Sequence, residues 1–151
     1  MGTHGRYYRV NVLLSAFPGL SKSNFNIESR KDSRYNCIAW AAEDTNHYWW
    51  PTEGGYWPEG SSRALTLDAF VAAFATKGYA PCENELYEMG FIKIAIFARD
   101  DGTPTHAARQ KHNGKWTSKC GKYKDIEHDL EALSGPEPAY GTVVRLLKKP
   151  A

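Results

Sequence analysis

Residues 36–42 read NCIAWAA, and this stretch decides how the rest of the chain is interpreted. Asn36 is a favourable N-cap residue, and the apolar run after it suits a short helix that we expect to end near residues 44–46. Cys37 then lies in the first turn, where unpaired backbone N–H groups and the helix dipole stabilise a thiolate. Such a cysteine is a candidate nucleophile. The alternative is a small core residue, because free cysteine is among the most buried residue types.

Hydrophobic spacing predicts the other regular elements. Residues 66–78 are expected to form an amphipathic helix that Thr66 caps and Gly78 ends. Residues 125–133 are expected to form a shorter helix. Strands are predicted over residues 91–98, 105–111, 115–119 and 140–147, with a hairpin turn at Asn113-Gly114. Helices that precede an antiparallel sheet indicate a single α+β domain over residues 1–151, in which residues 1–15 are a peripheral strand or a mobile end and residues 20–35 are irregular.

Composition narrows the class of protein. A net charge of +2 over 151 residues argues against a strongly electrostatic nucleic-acid binder. Three cysteines, an odd number, do not make a disulfide framework. The N-terminal residues lack the apolar segment of a secretory signal, and no apolar run approaches the length of a membrane span. We therefore expect a cytoplasmic protein without membrane or nucleic-acid partners, although export by a signal-independent route stays open.

His106 is the histidine best placed to serve a cysteine nucleophile, which needs a base within hydrogen-bond reach. It opens the strand predicted at residues 105–111 and is followed by two alanines. If that strand packs across the start of the Cys37 helix, the imidazole can point at the sulfur. A structural histidine is the alternative.

A third group should orient the histidine, and Asp125 is the best chemical choice because a carboxylate fixes the tautomer and stabilises the imidazolium. Its alternative role is an acid at a helix N-terminus. Strand register also matters. A two-residue turn at Asn113-Gly114 would put Thr117 and Lys119 on the face of His106, whereas a three-residue turn would bring Ser118 and Cys120 there. Glu127 and His128 are further candidates.

The oxyanion hole is expected from the backbone N–H of Cys37, with the side chain of Asn36 either helping or serving only as a cap. Residues 47–63 form a loop too rich in Gly, Pro and Trp for regular structure. Trp49, Trp50 and Trp57 would border the cleft and hold a peptide, a glycan or an aromatic side chain, or else pack the loop onto the domain. A non-catalytic binding module that uses residues 47–60 is therefore the alternative function.

No metal or other cofactor is expected, because the cysteines and histidines lack the short paired spacing of a structural zinc site. A cysteine on the first helix followed by a histidine that opens a strand resembles papain-like cysteine peptidases and amidases, together with their transglutaminase and deamidase relatives. The similarity is carried by residues 36–41 and by Thr105, His106, Ala107 and Ala108. It implies a papain-like fold in which Cys37 attacks an amide carbonyl of a peptide, protein or other amide, and an acyl-enzyme forms.

The chain is also similar to an uncharacterised, mainly bacterial family from Phe17 to Leu147. The shared pieces read YNCIAWAA from residue 35, WWP from residue 49, GYWP from residue 55, HAARQ from residue 106, GKWTSK from residue 114 and DIEH from residue 125. This sequence departs from the pattern at Cys120, where leucine is expected, so Cys120 is interpreted as a core substitution. The resemblance supplies no activity. A compact domain of this kind is typical of a bacterial effector or toxin, or of a housekeeping amidase.

Overall fold

The main feature of the fold is one sheet of seven strands, within a computed structural model that describes residues 13–21, 25–27, 34–120 and 125–151. In chain order the strands are β1 Phe25–Ile27, β2 Ala80–Pro81, β3 Phe91–Ala98, β4 Pro104–Gln110, β5 Trp116–Lys119, β6 Asp125–His128 and β7 Thr142–Pro150. Their spatial order is β1-β6-β5-β4-β3-β7-β2, and every neighbouring pair is antiparallel. The helices are α1 Cys37–Ala41, α2 Leu67–Ala75 and a 3-10 helix at Leu130–Leu133. The predicted α+β class is confirmed.

Both faces of the sheet are covered, because side chains alternate between the two sides of each strand. Ile94 and Ile96 of β3 pack with α1, α2 and the loop of residues 47–63, which we call the tryptophan loop, on what we call the helical face. Ala95 and Phe97 pack with residues 13–20 and the 3-10 helix, on what we call the opposite face. Ala107 of β4 belongs to the helical face. The position of each functional side chain therefore follows from its parity along a strand.

Two contacts from the sheet hold α1 on the helical face. The indole nitrogen of Trp40 donates to Thr117 Oγ1 of β5 over 3.3 Å. Arg109 of β4 donates to the carbonyl of Trp40 over 2.7 Å, which satisfies a carbonyl group at the end of the helix. Glu43 follows with φ of 63°, and this left-handed residue stops the helix.

Helix α2 matches its prediction closely. Thr66 Oγ1 accepts the N–H of Ala69 over 3.2 Å and is the N-cap, and Phe70 and Phe74 are fully buried beneath the loop. Burial of each such ring stabilises the fold by roughly 1.5–3 kcal/mol. Within the described part of the chain, no helix combines the length and apolar character needed to cross a membrane.

The prediction for residues 125–133 is wrong. They form strand β6 and then the 3-10 helix, because Asp125–His128 pairs with β5 on one side and with β1 on the other. Strand β1 lies in a segment that was expected to be irregular. Residues 13–16 form a helical turn, so the strand expected near them does not include them. The first twelve residues lie outside the described part.

The hairpin between β4 and β5 has the three-residue turn. Lys111 N–H donates to the carbonyl of Lys115 over 2.7 Å, and Gly114 takes a left-handed φ of 83° inside the loop. Arg109 therefore lies opposite Thr117. This register brings Ser118 to the face of His106, which is the outcome expected for a three-residue turn.

Candidate active site

Cys37 begins α1 and is buried, with 8% of its surface exposed. Burial is the largest influence on the sulfur and raises the pKa of the thiol to about 11. Hydrogen bonds from the N–H groups of Ala107, Ile38 and Cys37 itself oppose that effect, and the charge of Lys119 opposes it further. Because α1 has only five residues, its dipole is weak. The resting residue is therefore a neutral thiol, because the contacts that lower the pKa do not offset burial.

His106 lies next to the residue that contacts this sulfur, but its side chain leaves β4 on the other side. The ring packs against Phe97, with centroids 5.4 Å apart, and stacks on Tyr140 at 4.0 Å and 3°. The prediction that β4 crosses the Cys37 helix is confirmed, whereas the side chain that β4 directs at that helix is Ala107. No hydrogen bond joins the imidazole to the sulfur in the described residues, where His106 Nδ1 has no partner.

A chain of hydrogen bonds fixes the other nitrogen of His106. Its Nε2 lies 2.9 Å from Ser118 Oγ, which lies 2.7 Å from His128 Nε2, and His128 Nδ1 lies 2.7 Å from the carbonyl of Asp129. A carbonyl only accepts, so a neutral His128 carries its proton on Nδ1 and accepts from the Ser118 hydroxyl through Nε2. The serine oxygen then accepts from Nε2–H of His106. The Nδ1 atom of His106 is left with a bare lone pair.

The hydrogen-bond chain from His106 through Ser118 to His128 is sealed from solvent. His106, Ser118 and His128 each have 0% of their surface exposed. Burial, together with the nearby His128, holds the pKa of His106 well below its ordinary value of 6.5. The imidazole is therefore neutral at physiological pH and has the protonation state of a general base.

The residue that bonds the ring of His106 is Ser118 and not Asp125. Asp125 has the parity of the helical face, and its Oδ2 accepts the hydroxyl of Tyr35 over 3.2 Å. It does not touch the ring nitrogens of His106. The alternative of a helix N-terminal acid is also wrong, because Asp125 begins a strand. Glu127 is bound by Lys111 at the partly exposed side of β6 and has no part in the chain.

Asn36 is the cap of α1 and an anchor of the tryptophan loop. Its Oδ1 accepts from the N–H of Ala39 over 3.2 Å and from the N–H of Trp49 over 3.0 Å, and its Nδ2 donates to the carbonyl of Trp49 over 2.7 Å. The cap interpretation is confirmed. The backbone N–H of Cys37 stays the main expected oxyanion donor.

The tryptophans mostly pack the loop onto the domain. Trp49 has 0% and Trp57 has 4% of its surface exposed, and both lie against rings of α2. For these two residues the structure shows the packing role that was the alternative to holding a ligand. Trp50 is half-buried, with its ring centroid 5.6 Å from that of Phe70.

The other cysteines have different surroundings. Cys120 is fully buried on the opposite face beside Tyr140, and burial raises its thiol pKa strongly. Cys82 is half-buried in the loop after β2, where its sulfur lies 3.8 Å from the carbonyl of Asn84. Across the described ranges, no three His, Cys, Asp or Glu side chains are grouped in a way that could hold a metal ion.

Sequence reasoning missed two features of the site. The stacking partner Tyr140 comes from just before β7 and carries no local signal. The second feature is Lys119, which is 2% exposed and is therefore a buried cation near the segment that leads into α1. All four residues of β5 are buried, so only the register shows that Lys119 has the parity of the helical face.

No curated protein and no solved structure matches the chain. One protein family does match, over residues 26–148, and it is described as a domain of unknown function, DUF7689. That match covers the sheet from β2 to β6 together with α1, α2 and most of β7. The chain belongs to the DUF7689 family.

Proposed function

We propose that this domain is a cysteine-dependent hydrolase or acyl transferase of papain-like type, which acts on an amide bond of a peptide, protein or other amide. Cys37 is the nucleophile and His106 is the base. One observation carries the proposal: the sulfur accepts the N–H of Ala107, directly after His106, while the Nδ1 lone pair of His106 is buried and has no partner among the described residues. A bare buried lone pair is costly, so it suggests a functional role.

The reaction begins from two neutral groups and not from an ion pair. As the sulfur attacks the carbonyl carbon, its proton moves to Nδ1 of His106, and the carbonyl π electrons move onto oxygen. The backbone N–H of Cys37 donates to that oxyanion, an interaction worth roughly 3 kcal/mol. His106 then gives the proton to the leaving nitrogen as the C–N bond breaks. Water or an amine resolves the acyl-enzyme, which gives hydrolysis, deamidation or transfer.

Ser118 keeps the tautomer that this scheme needs. Its oxygen accepts from Nε2–H, so Nδ1 is the only nitrogen of His106 that can take the thiol proton. Tyr140, stacked on the ring, shields that hydrogen bond from water. The sulfur and the ring are not hydrogen-bonded, and the ring leaves β4 on the side opposite to α1, so the proposal requires the ring to reorient toward the sulfur when substrate binds.

Hydrolysis of p-nitrophenyl acetate tests the proposal without knowledge of the natural substrate. We expect turnover above the buffer rate, with loss of at least about 100-fold in kcat/KM for Cys37→Ala and for His106→Gln. Cys82→Ser is the matched control and should keep full activity. Equal rates for all four proteins would overturn the proposal and leave the non-catalytic binding module, whose loop still exposes Tyr48 and Tyr56.

A further inference from the structure

We propose that Lys119 is a positioning residue whose buried charge stabilises the Cys37 thiolate as it forms, an inference that rests on the proposed function. Lysine is almost never fully buried without a compensating charge or role. Lys119 ends β5 with 2% of its surface exposed.

The hairpin register places Lys119 on the helical face of the sheet, against which the Cys37 helix packs. Arg109 pairs with Thr117, and Ala107 and Lys119 each lie two residues away along their own strand, so both have the parity of the helical face. The N–H of Ala107 is the group that reaches the Cys37 sulfur. Lys119 therefore lies on the helical face, and its charge acts on the Cys37 sulfur.

A second contact places the ammonium group beside the segment that leads into α1. Lys119 Nζ lies 5.4 Å from the ring centroid of Tyr35, two residues before Cys37. Tyr35 in turn stacks on Trp40 of α1, with centroids 5.7 Å apart. The cation is thus held against the element that carries the nucleophile.

Asp125 brings a negative charge to the same face of the sheet as Lys119. It pairs with Lys119 across β5 and β6, and Tyr35 donates its hydroxyl to the carboxylate. The carboxylate of Asp125, the ammonium group of Lys119 and the phenol of Tyr35 therefore lie close together, whereas the ring of His106 lies on the opposite face of the sheet. In this arrangement Asp125 opposes the thiolate and Lys119 favours it.

The groups that face Cys37 from the packed elements have defined signs. Lys119 lowers the pKa of the Cys37 thiol, and the positive charge of Arg109 lies at the far end of α1. Asp125 and an ionised Cys120 act in the opposite direction, and neutral Tyr35 and neutral His106 contribute no charge. Removal of the Lys119 charge should therefore reduce thiolate formation, and removal of the Asp125 charge should increase it.

Alkylation of Cys37 by iodoacetamide measures thiolate formation without any substrate. The rate is followed by peptide mapping between pH 7 and 9.5, with Cys82 as the internal reference. For Lys119→Met we expect the Cys37 rate to fall about tenfold at each pH, which corresponds to a shift of roughly one pH unit. Lys119→Arg should restore most of the rate, and Asp125→Asn should raise it.

Three outcomes overturn the inference: a folded Lys119→Met protein that reacts at the wild-type rate, equal slowing by the Met and Arg variants, or no gain in Asp125→Asn. If Lys119→Met does not fold, the sign of the Asp125→Asn effect decides. The proposed function fails separately, when p-nitrophenyl acetate is not turned over although the alkylation rates move as expected. The inference fails alone when turnover depends on Cys37 and His106 but alkylation ignores Lys119.

Discussion

The hydroxyl of Ser118 links His106 to His128 in the buried hydrogen-bond chain, and its removal should lower the free energy of unfolding by more than the loss of one small group normally does. In Ser118→Ala the bonds to His106, 2.9 Å long, and to His128, 2.7 Å long, are lost. One ring N–H and one ring lone pair are then buried without partners. Each unsatisfied group costs about 1–3 kcal/mol, so the free energy of unfolding should fall by roughly 2–6 kcal/mol.

Urea unfolding followed by tryptophan fluorescence measures this loss, provided that the slope of the transition stays unchanged. Ser134→Ala is the matched control, since the Ser134 hydroxyl bonds an exposed Glu131 carboxylate over 2.7 Å. That control should lie within about 0.5 kcal/mol of wild type. A loss for Ser118→Ala no larger than the control would show that the chain His106–Ser118–His128 is not formed as described.

Three further predictions concern the same molecule. Because the folded-state pKa of His106 is held below 6.5, the unfolded protein binds more protons than the folded protein below that pH. The free energy of unfolding should therefore fall by up to about 1.4 kcal/mol per pH unit as the pH drops from 6.5. In urea melts at several pH values, His106→Gln should flatten this slope. Gly141→Ala should destabilise by more than about 3 kcal/mol because its Cβ meets a carbonyl at the end of β3, whereas Gly102→Ala, with a similar positive φ and open space, should cost only about 1 kcal/mol in thermal melts. Trp49→Ala should cost roughly 3–5 kcal/mol because its ring is fully buried, whereas Tyr48→Ala, 56% exposed, should change the unfolding midpoint little.

The sequence predicted the elements whose signals are local. Thr66 as a cap, the helix after it and the strand over residues 91–98 depend on spacing and capping within one segment, and the structure confirms all three. The hairpin at residues 111–115 was also foreseen. Its register depended on a single residue of loop length, which short-range signals did not decide.

Elements held by distant partners were not predicted correctly. The spacing of Ile126, Leu130 and Leu133 fits a helix, yet pairing of β6 with two neighbours overrides it. The same limit applies to the site. Cys37 and His106 were chosen by chemistry, but the partner of His106, its stacking ring and the buried Lys119 follow from strand parity and packing that no local pattern encodes.

The most direct test of the account is to expose the protein briefly to p-nitrophenyl acetate, stop the reaction at low pH, and locate any acetyl group by mass spectrometry and peptide mapping. If Cys37 is a nucleophile that His106 assists, a single acetyl group should be found on Cys37 in the wild-type protein and should disappear in His106→Gln. Acetyl groups confined to surface lysines, or a Cys37 adduct that forms equally fast without the imidazole, would contradict the account.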